Sequence, residues 1–392
     1  MTDYGFDQVI SRENTHSMKW EYGKKISGDS RMLPMWVADM DFRSPPKIIE
    51  AVEERARHGI YGYTLVTNEY LESIAHWMEK RHNWSIDVGE IVSVNGVVPA
   101  LNMIMQGFGR PGDHVVIQPP VYYPFFNVIR NNGHHPLLNS LVEKEFGYEM
   151  DFDDLEMKLK HPGTTMMILC SPHNPVGRVW KEEELRKVAE LCLQYNVLLI
   201  SDEIHQDLLL NNHRHIPTAS ISEAVDRNTI TCTAPSKTFN LAGFHSSNLV
   251  IRDSEKRRIF RQTLERNGGF GMNPFSDIAT ITAYRHGASW LDALLQYLEG
   301  NLEYLRGYLN HHLPEISMHP PEATYLAWLD CRSLKLEQKE LEEVLLKKAG
   351  VVLNQGPTFG DPGEGFVRLN FACPRSMLEE GLQRIKTAIH SL

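Results

Sequence analysis

The stretch MMILCSPHNPVGRVWKEEELRKVAELCLQYNVLLISDEIH, residues 166–205, decides the fold. It opens on a short apolar run, turns through a proline-rich loop, continues as an amphipathic segment and closes on a second apolar run. In KEEELRKVAELCLQYN (181–196), Leu185, Val188, Ala189 and Cys192 recur at i, i+3, i+4 and i+7, the stripe of a helix with one buried face. The flanking runs MMILC (166–170) and VLLIS (197–201) are almost continuously apolar, as a parallel strand covered on both faces reads.

The same alternation extends outward. IVSV (91–94), VVIQ (115–118), TITCT (229–233) and NLVI (248–251) are further runs of this kind. TNEYLESIAHWMEKRH (67–82) is a second amphipathic helix, with Leu71, Ile74, Ala75 and Met78 on one face. The pattern predicts an α/β fold, a mostly parallel central sheet covered by helices. Ser44-Pro45-Pro46 reads as a helix start with serine as the cap. A long helical stretch is expected from about Ser276 to His311. Beyond it ATYLAWLD (323–330), VVLN (351–354) and FVRLNFA (366–372) read as strands, with helices at 337–348 and 376–391. The expected organisation is a large domain over 46–289 and a smaller α/β domain from 1–45 plus 290–392.

Composition narrows the function classes. The 392 residues carry 40 basic and 50 acidic side chains, a formal charge of −10, without the basic surplus a nucleic-acid binder would show. MTDYGFDQVI lacks the apolar core of a secretory signal, and no apolar run is long enough for a membrane span. Five scattered cysteines without a Cys-x-x-Cys pair suit buried, reduced thiols rather than disulfides or a metal site. These features lead us to expect a cytoplasmic location, with no membrane or nucleic-acid partner and no metal.

Several polar residues sit where strands should end. Lys237, in TAPSKTFNLAGF (233–244), is either a solvated loop cation or a desolvated amine able to form an imine with a carbonyl compound. Asp202 follows a buried strand, as a helix cap or as the partner of a cation in the crevice where α/β sheets bind ligands. Asn174 lies between prolines in CSPHNPVGR (170–178), a rigid turn that gives no reason of its own for the amide. Gly96 precedes a helix whose first N–H groups could hold a phosphate, and Tyr122 and Tyr123 in PPVYYPFF (119–126) are core residues or a stacking platform.

Taken in order, Gly96, Tyr122, Asn174, Asp202, Lys237 and then Arg368 within FVRLNFA resemble the fold-type-I pyridoxal-phosphate enzymes, the aspartate-aminotransferase-like superfamily. The resemblance covers nearly the whole chain. WVADMDF (36–42), YGYT (61–64), PVYYPF, SPHNPVGR, SDEIHQDL and APSKTFNLAG are similar to the cystathionine β-lyase/cystalysin (MalY/PatB-type) carbon–sulfur lyases. It implies that pyridoxal 5′-phosphate is held covalently by Lys237, which also serves as general base and acid. Asp202 would pair with the ring nitrogen, Asn174 and His205 would meet the 3′-oxygen, and Tyr122 would stack on the ring. Gly96, Val97, Val98 and Ser236 would hold the phosphate, joined by Tyr63 of a neighbouring subunit in a homodimer. Arg368 would clamp the substrate carboxylate, with Tyr123 and the backbone of Ala38 beside it. Two positions depart from the superfamily: His245 stands where many members have a phosphate-binding arginine, and Ala234 where they have a hydroxyl residue. The implied reaction is β-elimination from L-cystathionine, L-cysteine or a related thioether. The same residues would serve an aminotransferase, and a non-catalytic regulator would need a DNA-binding module for which the segment before Ser44 has no basic helix pair.

Overall fold

The computed structural model describes residues 3–28, 31–269 and 271–392. Its central sheet has seven strands: β1 (Ile91–Val94), β2 (His114–Ile117), β3 (His135–Leu138), β4 (Thr164–Cys170), β5 (Leu198–Asp202), β6 (Thr229–Thr233) and β7 (Ser247–Val250). Their order is β1-β7-β6-β5-β4-β2-β3. Six coincide with the expected runs. The seventh, β3, is a partly exposed edge strand containing a proline, so it carries no continuous apolar signal.

All pairings are parallel except those of β7, which is antiparallel to β6 and β1. The NLVI run is thus not a parallel strand. Burial on both faces imposes the same apolar continuity in either direction, so the pattern is blind to the reversal. Within β4, Met166 and Ile168 face a layer containing Ala100, Leu101, Phe125 and Phe260, whereas Met167 and Leu169 face Leu185, Val188 and Cys192. This two-residue alternation with both sides apolar is what buries the sheet between helices.

Registry lines up the functional edge. Cys170 pairs with Asp202, Asp202 with Cys232, Thr233 with Asn248, and Val94 with Ser247. The carboxyl ends of β1, β4, β5 and β6 therefore meet at one edge with the start of β7. The loops leaving that edge carry Gly96, Asn174, His205 and Lys237, and His245 lies just before β7.

Towards the carboxyl end, β8 (Leu326–Asp330), β9 (Asn354–Gln355) and β10 (Phe366–Asn370) form an antiparallel sheet in the order β8-β10-β9. Leu33–Pro34 pairs in parallel with Val351–Val352, tying the amino-terminal segment to this part of the chain. VVLN is consequently split between two sheets.

Two other expectations are corrected. The stretch from Ser276 to His311 is two helices, Pro274–His286 and Ala288–His312, broken at Gly287. A Cβ at Gly287 would fall 2.4 Å from the Phe239 ring and 2.5 Å from the Ala283 carbonyl, so close packing demands glycine there. The helix Pro46–Arg57 has Pro45 at its cap position, and Ser44 instead donates its hydroxyl to the Asn240 carbonyl at 3.3 Å. All five cysteines are buried and unpaired. Among the described residues no helix is long and apolar enough to cross a membrane, and no cluster of ligating side chains could hold a metal.

Candidate active site

After β6 the chain makes one helical turn, Pro235–Thr238, which presents Ser236 and Lys237 at the sheet edge. The turn is anchored from below. Thr238 donates its hydroxyl to Asp207 at 2.7 Å, and the same buried carboxylate accepts from Trp77 Nε1 at 3.0 Å and His82 Nε2 at 2.8 Å. Although burial opposes it, these contacts hold the Asp207 carboxyl below its ordinary range. Asn240, in the left-handed region at φ 58°, binds the backbone of Met40 twice and that of Phe42 once.

The Lys237 amine donates to the Ala38 carbonyl at 2.7 Å. Burial lowers its pKa to about 8, with Arg368 pushing the same way and Asp39 and Asp202 opposing. Tyr325 also donates to the Ala38 carbonyl, at 2.9 Å. The loop bearing that carbonyl is fixed from behind. Lys19, 1% exposed, lies 2.6 Å from Asp41, while Arg12 bridges Asp39 at 2.8 Å and Asp41 at 3.0 Å. Removing one member of such a buried ionic group costs about 3–5 kcal/mol, because its partner is left unpaired.

Asp202, at the end of β5 and 3% exposed, has the opposite problem. Its carboxylate accepts only a long 3.4 Å bond from the Ile204 N–H, and no ion pair reaches it among the described residues. Burial raises its pKa to about 7. A buried carboxylate this poorly partnered is set for an incoming cation.

Arg368, in β10, is likewise buried without a carboxylate partner among the described residues. It donates to Asn174 Oδ1 at 2.9 Å, the Trp36 carbonyl at 2.9 Å and Asn354 Oδ1 at 2.6 Å, while its Nε is unpartnered. Its guanidinium lies 4.9 Å from the centre of the Phe359 ring. Burial brings its pKa down to about 10. A desolvated guanidinium held by neutral acceptors is an anion site. His205 is buried with Nδ1 unpartnered, and burial together with Lys237 and Arg368 keeps its imidazole neutral.

A cavity of about 290 Å³ gathers Gly96, Val97, Val98, Tyr122, Asp202, Ser236 and Lys237. Gly96 has φ 102°, which an L side chain rarely adopts, and it starts the helix Val97–Phe108. The first N–H groups of that helix have no carbonyl of their own to bond. His245, Ala234, Ile204 and Ser246 also line this cavity. The two departures from the superfamily pattern are thus inside the site, at positions where many members carry an arginine and a hydroxyl residue.

Tyr123 lies outside the cavity, its ring 5.5 Å from that of Tyr122. Ala38 and Asn174 join through their bonds to Lys237 and Arg368. Tyr63 is fully exposed and lines none of it. Tyr325 was missed because ATYLAWLD reads as uniform strand core. Arg12 and Lys19 lie in a segment with no periodic pattern, so no sequence signal marked them.

The cavity therefore offers a buried carboxyl and an amine of lowered pKa, a helix start, and a nearby guanidinium that has no counter-ion among the described residues. Comparison with known proteins identifies the family. The family model described as aminotransferase class I and II matches residues 32–385. The chain is 46% identical over 384 residues to cystathionine beta-lyase PatB of Bacillus subtilis, covering 98% of this chain and 99% of that one. It is 36% identical over 391 residues to protein MalY of Escherichia coli, covering 99% and 100%. The crystal structure of cystalysin from Treponema denticola, which contains pyridoxal 5′-phosphate, superposes with a TM-score of 0.97 at 38% identity, covering 100% of both chains.

Proposed function

Because this chain belongs to the aminotransferase class I and II family, we infer from its site that it is a pyridoxal-phosphate-dependent carbon–sulfur lyase of the cystathionine β-lyase type. It converts L-cystathionine, L-cysteine or a related thioether, with water, to pyruvate, ammonia and a thiol or sulfide. The full-length 46% identity to a cystathionine β-lyase carries this reading over transamination, since the geometry serves both.

The underpartnered groups of the site fit the cofactor. Asp202 is the anion a protonated ring nitrogen requires, and the start of the helix Val97–Phe108 with Ser236 supplies donors for the phosphate. Tyr122 offers a ring face. Asn174, whose Oδ1 serves Arg368, keeps its amide N–H groups for the 3′-oxygen, with the neutral His205 nearby. Lys237 would be the amine that holds the cofactor covalently. Bound pyridoxal phosphate supplies the electron sink for negative charge at the substrate Cα.

Moving protons falls to the chain itself. With a pKa lowered to about 8, Lys237 Nζ takes the Cα proton and returns a proton to the departing sulfur. Arg368 fixes the substrate carboxylate through its fork of N–H donors. Ala38 and Tyr325 hold the amine in place when it is free. Tyr325→Phe removes one hydroxyl and little volume, so a packing role predicts nearly unchanged kinetics. We expect instead a loss of roughly fivefold in kcat, the worth of one hydrogen bond, with KM little altered.

The protein acts as a homodimer. Ile60, Tyr61, Tyr63 and Leu65 are all exposed, an apolar stretch suited to a subunit contact that carries Tyr63 to the neighbouring phosphate. Mixing Lys237→Ala with an impaired Tyr63→Phe variant tests this. A mixed dimer has one site with both lesions and one with neither, so activity should recover in part. An active monomer in light scattering, or verified mixed dimers that recover nothing, would refute the shared site. The five buried free thiols suit a reducing cytoplasm.

Incubation with L-cystathionine as sole substrate tests the reaction itself. Pyruvate, ammonia and L-homocysteine should appear in equal amounts without any added keto acid. Thioether consumption without pyruvate would contradict the assignment.

A further inference from the structure

Beyond the cofactor cavity, a recess of about 330 Å³ is lined by Tyr123, Phe126, Asn127, Arg130, Thr358, Gly360 and Asp361, with Pro357. It adjoins the substrate side of the site. Phe359 places its ring 4.9 Å from the Arg368 guanidinium and 6.0 Å from the Tyr123 ring, and its chain neighbours Thr358 and Gly360 both line the recess. Tyr123 and the loop bearing Phe359 are therefore common to the carboxylate clamp and the recess.

The chemistry of its walls is specific. Arg130 sits in the last turn of the helix Pro124–Asn131, its guanidinium 5.6 Å from the Phe126 ring centre. Asp361 opens the short turn Asp361–Gly363. Among the described residues neither is in an ion pair, with the other or with any other group, and the Asn127 amide makes no hydrogen bond. One cation, one anion and one free amide facing a common volume match a zwitterion, not a simple anion or an apolar group. At a rise of 1.5 Å per residue, Arg130 stands roughly 10 Å along the helix from Tyr123.

We propose that this recess binds the far end of a thioether substrate, the α-amino acid attached through sulfur to the cysteine half. Arg130 faces its carboxylate and Asp361 its ammonium group. The proposal rests on the lyase reading above and assigns the residues that, among its substrates, favour thioethers with a zwitterionic far end over S-alkyl cysteines. The bonds broken are those of the lyase reaction, and the recess only holds the leaving group.

The test compares two substrates on the holoenzyme. L-Cystathionine carries the far zwitterion, and S-ethyl-L-cysteine has an uncharged arm of two carbons. Arg130→Gln and Asp361→Asn should each raise KM for L-cystathionine about fivefold with kcat retained, as befits partly exposed charge pairs. Both variants should keep the parent KM for S-ethyl-L-cysteine. Arg130→Lys, which preserves the charge, should keep most of the affinity for L-cystathionine and guards against a folding artefact of the glutamine variant. Unchanged KM values for L-cystathionine, or equal rises for both substrates, would overturn the assignment of the recess while leaving the lyase reading intact. If the unaltered enzyme forms no pyruvate from either substrate, the lyase reading fails first and the recess assignment with it.

Discussion

Replacing Lys237 by alanine is expected to leave a folded protein whose turnover of L-cystathionine falls by roughly 10⁴-fold or more, since one residue supplies both the proton acceptor and the proton donor. Folding should survive because the side chain makes a single hydrogen bond, to the Ala38 carbonyl. Burial already disfavours its charge, so alanine relieves a desolvation cost. The purified unaltered protein should be yellow. Borohydride reduction should fix a pyridoxyl group on the peptide containing Lys237, and the variant should lose that label. A label on a different lysine would contradict the assignment, as would turnover by the variant close to that of the unaltered protein.

The second large effect concerns Asp202, and here activity and stability should move in opposite directions. Asp202→Asn removes the anion that, in our reading, pairs with the ring nitrogen. Loss of a buried charge partner is worth about 3–5 kcal/mol, or roughly two to four orders of magnitude in rate if felt in the transition state. Without cofactor the same carboxylate is a burden. Its pKa in the fold is raised from 3.8 to about 7, so the folded state disfavours the ionised form. The stability it contributes below pH 4 is lost as pH rises through 7, by up to about 4 kcal/mol. Stripped of cofactor, the Asp202→Asn variant should therefore unfold at a higher temperature than the parent at pH 8, with the gap closing towards pH 5. A helix cap would behave otherwise: its loss would destabilise the protein at both pH values and leave turnover near normal.

What the sequence reveals, and what it hides, follows from the range over which each residue's reason for being there acts. Leu185, Val188, Ala189 and Cys192 announce their helix because a buried stripe is a local, periodic demand, and all four are buried. Asp202 and Lys237 stand out because polar groups at the ends of apolar strands violate that demand. The reversal of β7 stayed hidden, since strand direction is settled by connections rather than by side chains. The break at Gly287 is set by the Phe239 ring packed against it, a neighbour distant in sequence. Tyr325 and Lys19 are the clearest omissions. One bonds a carbonyl 287 positions away, and the other buries its charge 22 positions away, contacts that no local pattern encodes. The resemblance to a known family supplied roles for Asn174, His205 and Arg368 that spacing alone would not have assigned.

His245 and Ala234 bear on how the phosphate is held. Both line the cavity, yet His245 brings an imidazole at φ 56° and Ala234 no polar side chain at all. In our reading, more of the phosphate binding then rests on the backbone after Gly96, on Ser236 and on Tyr63 of the other subunit.

The most direct measurement places L-cystathionine and 2-oxoglutarate together with the purified holoenzyme and quantifies pyruvate against L-glutamate. A β-lyase expels sulfur once the Cα proton is gone, so pyruvate should accumulate with little glutamate. An aminotransferase would pass the amino group on, and glutamate formed in place of pyruvate would contradict the account.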